Sequence, residues 1–116
     1  MLPRRNRLTK RHDIVSTLRR GTAFPTPIVA IHVCRRNDPS AVRVAVIVAK
    51  KVHASAVQRH RYQRWLRTAA AELIPQLAYS ADMVWVAKPA ITRLASANDV
   101  TAKLSRTFAT IKKLSS

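Results

Sequence analysis

The feature that most constrains the fold is a stretch from Ser55 to Leu73 that is helical in pattern, apolar on one side and basic on the other. On a helical wheel, Leu66, Ala69 and Leu73 fall within about 40° of Tyr62, and these four residues form one apolar stripe. The opposite arc is polar and carries His60, Arg61, Gln63, Arg64 and Arg67. A helix of this kind is predicted to pack its stripe against other elements and to keep its basic side in solvent.

The charge on this helix has one sign. Four arginines lie between Arg59 and Arg67, and no acid occurs from Pro39 to Ala71, a stretch that holds seven Lys or Arg residues. Solvated helix faces usually mix signs, because opposite charges four residues apart stabilise a helix and like charges destabilise it. Arginine also offers a planar fork of donors that suits phosphate. The pattern therefore favours an anion-binding face over the alternative, an ordinary solvated face.

Composition extends this argument to the whole chain. Its 116 residues, 47% of them apolar, suit a single domain over residues 1–116 with a real core. Twenty-two Lys and Arg against five Asp and Glu give a net charge of +17, which favours a polyanion, either nucleic acid or an anionic membrane surface. The basic residues are dispersed among core-forming segments, which argues against a disordered tail or a lipid-binding arm. The chain has neither an apolar run of about 18 residues nor the apolar core of a signal peptide, so a cytoplasmic protein is expected.

Helical and strand patterns alternate along the rest of the chain. Residues 1–8 are predicted to be an extended basic lead-in, and Thr9 to cap a first helix over about residues 10–20 that ends at Gly21. Strands are predicted at 28–34, 42–49 and 82–88, and two prolines weaken a further edge strand at 22–27. Ser55 is predicted to cap the basic helix and Pro75 to end it. A last helix, capped by Asn98 or Asp99, has an apolar face made of Val100, Leu104, Phe108, Ile111 and Leu114.

These elements predict an α+β fold, a two-layer α/β sandwich on a small mixed sheet. The short turn over residues 35–40 predicts that strands 28–34 and 42–49 are antiparallel. The almost continuous apolar run over residues 44–49 predicts that the second of these strands is central. The order is α-β-β-(β)-α-β-α, with four strands if the weak edge strand is counted.

Residues for protein-based catalysis are not recognisable. The five acids, Asp13, Asp38, Glu72, Asp82 and Asp99, are scattered, and the four histidines have no metal-ligand spacing among themselves or with Cys34. Cys34 is the sole cysteine, which excludes an intrachain disulfide and predicts a small buried side chain. Tyr62, Trp65 and Trp85 are predicted to be core or core-edge residues. The chain is therefore expected to bind its partner and to hold no metal.

Three segments of the chain carry recognisable motifs. The first is Val48-Ala49-Lys50-Lys51-Val52, followed by the helix that contains Arg59-His60-Arg61-Tyr62-Gln63-Arg64-Trp65-Leu66-Arg67. The others are Arg4-Arg5-Asn6-Arg7-Leu8, with Asp13 and Gly21 after it, and Val84-Trp85-Val86-Ala87-Lys88-Pro89. Together these segments resemble the protein subunit of bacterial ribonuclease P. The likeness covers nearly the whole chain. It implies a role in removing the 5′ leader from precursor tRNA by endonucleolytic hydrolysis.

The resemblance also implies where the partners bind. In that family the large RNA subunit carries the chemistry with its Mg²⁺ ions, and the protein binds this RNA and holds the single-stranded leader in a cleft. Helix one of the family lies over the exposed face of a four-stranded sheet, which forms the cleft. Carried over by position, the residues facing the catalytic RNA are Arg59, His60, Arg61, Gln63, Arg64, Arg67, Lys50 and Lys51. Those of the leader cleft are Ile14, His32, Ile47, Ala49 and, near its edge, Lys88.

Some positions depart from the family pattern. His60 replaces an Asn and Gln63 a Lys or Arg, so the helix loses an amide and a charge. Ile14 and His32 stand where Phe and Tyr are frequent, which predicts weaker and less base-sensitive leader contact. The alternatives are a general basic RNA-binding or ribosomal protein, then a DNA-binding architectural protein, and last a membrane-surface protein. Neither DNA nor membrane is the expected partner.

Overall fold

A computed structural model describes residues 2–38 and 40–113. Its elements, in chain order, are α1 (Arg11–Arg20), β1 (Thr22–Pro25), β2 (Val29–Arg35), β3 (Arg43–Ile47), α2 (Ala56–Leu73), β4 (Ala81–Ala87) and α3 (Ala97–Lys112). Short 3₁₀ turns occupy Arg4–Asn6, Ile74–Gln76 and Pro89–Arg93. The predicted order of elements is confirmed, including the short edge strand. Pro39 and Leu114, which were assigned to a turn and to the last helix, lie outside the described residues.

The four strands form one mixed sheet in the order β1-β2-β4-β3. β4 pairs antiparallel with β2 and parallel with β3. The prediction that β2 and β3 form an antiparallel pair is wrong, because β4 lies between them. The prediction that β3 is central is wrong for the same reason, since β3 is the edge strand.

The apolar character of β3 has another cause, which is that both of its faces and its outer edge are covered. Val44 packs in the core under α2, and Ala45 packs on the other side with Leu8. The N-terminal segment runs along the outer edge, where the Leu8 N–H donates to the Val44 carbonyl at 2.9 Å. Asn6 Nδ2 donates to the Val42 carbonyl at 2.8 Å. Residues 2–8 are therefore packed, with Leu2 and Leu8 buried, and are not simply an extended lead-in as predicted.

The main core lies between one face of the sheet and the pair α2 and α3. Trp85 of β4 meets Phe108 of α3 edge to face, with ring centroids 5.8 Å apart. A smaller cluster on the opposite face contains Leu8, Ala45 and Val84, and Ile14 of α1 packs against it. The helices that cover the two faces therefore differ: α2 and α3 cover most of one, and α1 covers part of the other.

Two predicted helix caps are corrected. The N-cap of α1 is Lys10, not Thr9, and no side chain caps it. The N-cap of α3 is Ser96, not Asn98 or Asp99: its Oγ accepts from the Asp99 N–H at 3.4 Å. Three residue types that favour caps lie close together there, and only the backbone conformation selects Ser96.

Gly21 ends α1 as predicted, but for a different physical reason. Its φ is −72°, so it is not in the left-handed conformation that a helix-ending glycine often adopts. A Cβ atom at this position would lie 2.5 Å from the Thr17 carbonyl oxygen and 3.0 Å from the Val33 carbonyl oxygen. Glycine is needed because the backbone of α1 itself and the backbone of β2 both lie too close to leave room for a Cβ atom.

Candidate nucleic-acid interface

α2 presents a basic surface to solvent. Its N-terminus is capped as predicted by Ser55, whose Oγ accepts from the Gln58 N–H at 3.4 Å. The predicted stripe is buried against the sheet and α3: Tyr62, Leu66, Ala69 and Leu73. Four exposed side chains on the opposite side form what we call the α2 basic face: His60, Arg61, Arg64 and Arg67.

The charges of the α2 basic face are not neutralised within the protein. The ion pairs among residues 2–38 and 40–113 all involve Asp13, Asp38 or Asp82, and none of them includes an α2 arginine. Arg61 lies over the ring of Trp65, with its guanidinium carbon 5.0 Å from the ring centroid. Such stacking restricts the orientation of Arg61 and leaves its N–H donors for a ligand.

Arg59 and Gln63, which were also predicted to face the catalytic RNA, are less exposed than the residues of the α2 basic face. Arg59 is half-buried, and its Nη1 donates to the carbonyl oxygens of His53 at 2.9 Å and Ala54 at 2.8 Å. Gln63 is also half-buried. Arg59 therefore joins the turn before α2 to the first part of that helix, and neither residue belongs to the α2 basic face.

The turn that Arg59 holds contains both predicted lysines. Lys50 and Lys51 are exposed and follow β3 after Val48 and Ala49. Further along the turn, His53 Nδ1 accepts from the Ser55 N–H at 3.0 Å, which orders the approach to α2. Lys50 and Lys51 therefore lie in the connection between β3 and the start of α2.

A second basic segment reaches α2 from the N-terminus. Arg7, Arg64, Arg67 and Thr68 line a pocket of about 290 Å³. Arg7 is held in place by its Nε, which donates to the Leu2 carbonyl at 3.0 Å. Three arginine side chains from two segments of the chain thus line one pocket, an arrangement that suits a phosphate group. Sequence reasoning missed this role of Arg7, because nothing in the local pattern of residues 2–8 shows that they pack beside α2.

The other candidate surface is the sheet face that α1 only partly covers. Strand register places Pro25, Ala30, Val86 and Ile47 in one row across this face, and Ala23, His32, Val84 and Ala45 in the next. Leu8 and Ile14 cover the Val84 and Ala45 end. Four half-buried side chains remain beside them and form what we call the open sheet face: Ala30, His32, Ile47 and Val86.

Three of the five predicted cleft residues belong to this region. Ile14, His32 and Ile47 lie on one side of the sheet, whereas Ala49 lies beyond the end of β3 and is exposed. Lys88 follows β4, and its Nζ donates to the Thr26 carbonyl at 2.7 Å, so it braces the connection between β1 and β2. Ala30 and Val86 were missed. Both residues alternate with buried neighbours along their strands, which suggests that they point away from the main core. Only the strand order of the sheet shows that they lie in the same row as Ile47.

Comparison with known proteins decides the family. The sequence family described as Ribonuclease P matches residues 2–112. The ribonuclease P protein component of Mycobacterium avium (strain 104) is 36% identical over 110 residues, which cover 91% of each chain. That of Mycobacteroides abscessus is 39% identical over 104 residues, covering 84% of this chain and 81% of the relative. This chain belongs to the ribonuclease P protein family.

Solved ribonuclease P proteins share the fold. The Staphylococcus aureus RNase P protein aligns with a TM-score of 0.80 over 92% of this chain and 95% of its own, at 17% identity. The Thermotoga maritima RNase P protein aligns with a TM-score of 0.76 over 94% of this chain and 97% of its own, at 18% identity. The α+β fold with its four-stranded mixed sheet is therefore that of the ribonuclease P proteins.

Further observations on this ribonuclease P family member concern metal sites, membrane spans and four residues predicted to lie in or beside the core. Among residues 2–38 and 40–113, no three or more His, Cys, Asp or Glu side chains are grouped so that they could hold a metal ion. Over the same residues, no helix is both long and apolar enough to cross a bilayer. Cys34 is half-buried on the same side of the sheet as His32, more accessible than the buried position predicted for it. Tyr62 and Trp85 are buried and Trp65 packs at the core edge, as predicted.

Proposed function

We propose that this chain is the protein component of ribonuclease P and uses its two sides for two RNAs. The α2 basic face, together with Arg7, Lys50 and Lys51, binds the catalytic RNA. The open sheet face, with Ile14 beside it, receives the 5′ leader of precursor tRNA. The observation that carries the proposal is the convergence of Arg7, Arg64 and Arg67 on one pocket, in a member of this family.

The α2 basic face suits a folded RNA. Phosphates dominate the affinity of nucleic-acid complexes, and each one neutralised releases bound counterions. Four exposed side chains along α2 and the guanidinium of Arg7 can track a phosphate backbone without a bound acid competing for them. Because arginine donates through a planar fork, these contacts also fix orientation.

The open sheet face suits a single strand. It is composed of small and aliphatic side chains with one ring, His32, and contains no charged side chain. Stacking of a base on an aromatic ring is worth about 1–3 kcal/mol in single-strand binders. With His32 as its only ring, this face is expected to hold the leader with little preference for particular bases.

Hydrolysis is assigned to the RNA subunit and its Mg²⁺ ions. The carboxylates of Asp13, Asp38 and Asp82 are engaged by arginines, which leaves Glu72 and Asp99 on separate helices. A protein-based site with two metal ions would need several free carboxylates together. The role of this chain is therefore to bind and position RNA, in the cytoplasm where precursor tRNA is processed.

Reconstitution with a bacterial ribonuclease P RNA at low Mg²⁺ tests the proposal. The protein should stimulate cleavage of precursor tRNA and should raise affinity for leader-bearing substrate far more than affinity for mature tRNA. His32→Glu should reduce this leader-dependent gain and leave assembly with the catalytic RNA intact, because it places a negative charge on the open sheet face. The double variant Arg64→Ala, Arg67→Ala should weaken assembly with the catalytic RNA and leave the leader-dependent gain in affinity intact.

The two variants serve as controls for each other. If both weaken assembly equally, the two RNAs are not divided between the two surfaces. If the wild-type protein gives no stimulation, a general RNA-binding role explains the basic face better.

A further inference from the structure

α1 is held on the sheet by little apolar packing. Thr17 is the buried residue of this helix, whereas α2 buries five residues and α3 four within the described part of the chain. Ile14 is half-buried, and Val15 and Leu18 are 45% and 37% exposed. Apolar contacts alone therefore leave the position of α1 over the sheet weakly specified.

A network of ion pairs lies beside the first turn of α1. Asp82 of β4 is buried, and Arg43 grips both of its carboxylate oxygens: Nε donates to Oδ1 at 2.9 Å and Nη2 to Oδ2 at 2.8 Å. Arg36 Nη1 also donates to Oδ1 at 3.2 Å. This bidentate contact fixes the orientation of the Arg43 guanidinium, and the hydrogen bonds that Arg43 donates to Asp82 raise the pKa of Arg43.

Arg43 extends this network to α1. Its Nη2 lies 3.7 Å from Oδ2 of Asp13, which is the acid in the first turn of the helix. Lys10 at the N-cap offers no side-chain acceptor, so Asp13 is also the group that complements the positive end of the helix dipole. Asp13 thus interacts favourably both with the N-terminal end of the α1 dipole and with the guanidinium of Arg43, which is fixed on the sheet.

The network shares a side of the sheet with the proposed leader site. Register puts Cys34, Asp82 and Arg43 in one row, and the rows of His32 and of Val86 follow two and four residues along the strands. Two residues span roughly 7 Å along a strand. The point where α1 is anchored is therefore within one or two rows of the open sheet face.

We propose that Arg43, fixed by Asp82, is a positioning residue that seats α1 through Asp13 and so sets the width of the leader cleft. The inference rests on the proposed function, because the spacing between α1 and the open sheet face matters only if the leader binds there. Three of the five acids of this strongly basic chain, Asp13, Asp38 and Asp82, take part in the network. Most of the acidic side chains of the protein therefore belong to this one ion-pair network.

Asp13→Asn is the informative variant, because it removes the charge and keeps the volume of the side chain. Asp99→Asn is its matched control: Asp99 is likewise the third residue and the acid in the first turn of its helix, and it accepts from the Ala95 N–H with no cation paired to it among the described residues. Both variants change the net charge and the helix-dipole interaction alike. Asp13→Glu, which keeps the charge, is the conservative rescue.

The first measurement is the ratio of holoenzyme affinities for leader-bearing and leaderless tRNA. Asp13→Asn should lower this ratio about two- to fivefold, as expected for loss of a partly exposed ion pair. Asp99→Asn and Asp13→Glu should match the wild type, and assembly with the catalytic RNA should be the same for all four proteins. A ratio in Asp13→Asn equal to that of the wild type, or lowered equally in Asp99→Asn, overturns the proposal.

The second measurement needs no RNA. Amide hydrogen exchange in the free protein should accelerate about two- to fivefold in α1 of Asp13→Asn, with β4 and α3 unchanged. If wild-type holoenzyme shows no leader-dependent gain, the proposed function fails, yet faster exchange in α1 still supports the seating of the helix by Arg43. Unchanged exchange in α1 refutes that seating whatever the binding data show.

Discussion

Replacing Arg64 and Arg67 together by alanine should weaken RNA binding and make the affinity less dependent on the salt concentration. Both side chains are exposed, line the pocket with Arg7 and take part in no ion pair among the described residues. Each phosphate contact contributes about 0.9 to the slope of log K against log salt for a duplex and about 0.7 for a single strand. Loss of two contacts should therefore reduce the magnitude of the slope by about 1.4–1.8.

The same double variant should not lower protein stability. Surface substitutions away from special contacts usually change the free energy of unfolding by less than about 0.5 kcal/mol. Here the change also removes two like charges three residues apart and introduces alanine, the best helix former. The free energy of unfolding should thus be unchanged or slightly higher, and denaturant unfolding of the free protein measures it.

Arg59→Ala is the contrasting variant on the same helix. Its guanidinium donates to the carbonyl oxygens of His53 and Ala54, and hydrogen bonds that involve a charged group are worth about 1.5–3 kcal/mol. This variant should lower the free energy of unfolding by about that amount and leave the salt slope unchanged. Titrations of the catalytic RNA at four or more salt concentrations provide the slopes. The reasoning would be refuted if Arg59→Ala reduced the salt slope and the double variant left it unchanged. Arg59 would then contact phosphate, and Arg64 and Arg67 would not.

Two further substitutions test the local structure by urea unfolding. Gly21→Ala should lower the free energy of unfolding by about 1–3 kcal/mol through overpacking, because the new Cβ would lie 2.5 Å from the Thr17 carbonyl oxygen; a neutral result would show that α1 moves freely there. Ser55→Ala should lower it by about 1 kcal/mol, because the Gln58 N–H loses its acceptor at the start of α2; an unchanged value would mean that water replaces the cap at no loss.

Local patterns predicted the elements well because they depend on neighbours in the chain. The stripe of Tyr62, Leu66, Ala69 and Leu73 specified which side of α2 is buried. The strand patterns placed β2 and β4 within one residue of their observed ends. Periodicity is a property of consecutive residues, so it survives whatever the rest of the fold does.

Patterns failed where the answer depended on distant segments. The apolar run of β3 predicted a central strand, yet β3 is an edge strand whose outer edge is covered by residues 2–8. A sequence records that both faces of a strand are apolar, but not what covers them. The same limit applies to Arg59, because the sequence did not reveal that its side chain turns back to the carbonyls of His53 and Ala54.

The sequence by itself determined that this protein carries a directed positive charge. An acid-free stretch with seven cations, set opposite a packing stripe, favours an anionic partner, because like charges on one helix face destabilise the free protein. The tertiary structure decided which cations have partners within the protein and which lie together at its surface. It added Arg7 to Arg64 and Arg67, assigned Arg59 and Lys88 to backbone carbonyls, and joined α1 to the sheet through Arg43. The physical reason is that each charged residue can be read from the sequence, whereas the group that it contacts depends on how distant segments pack together.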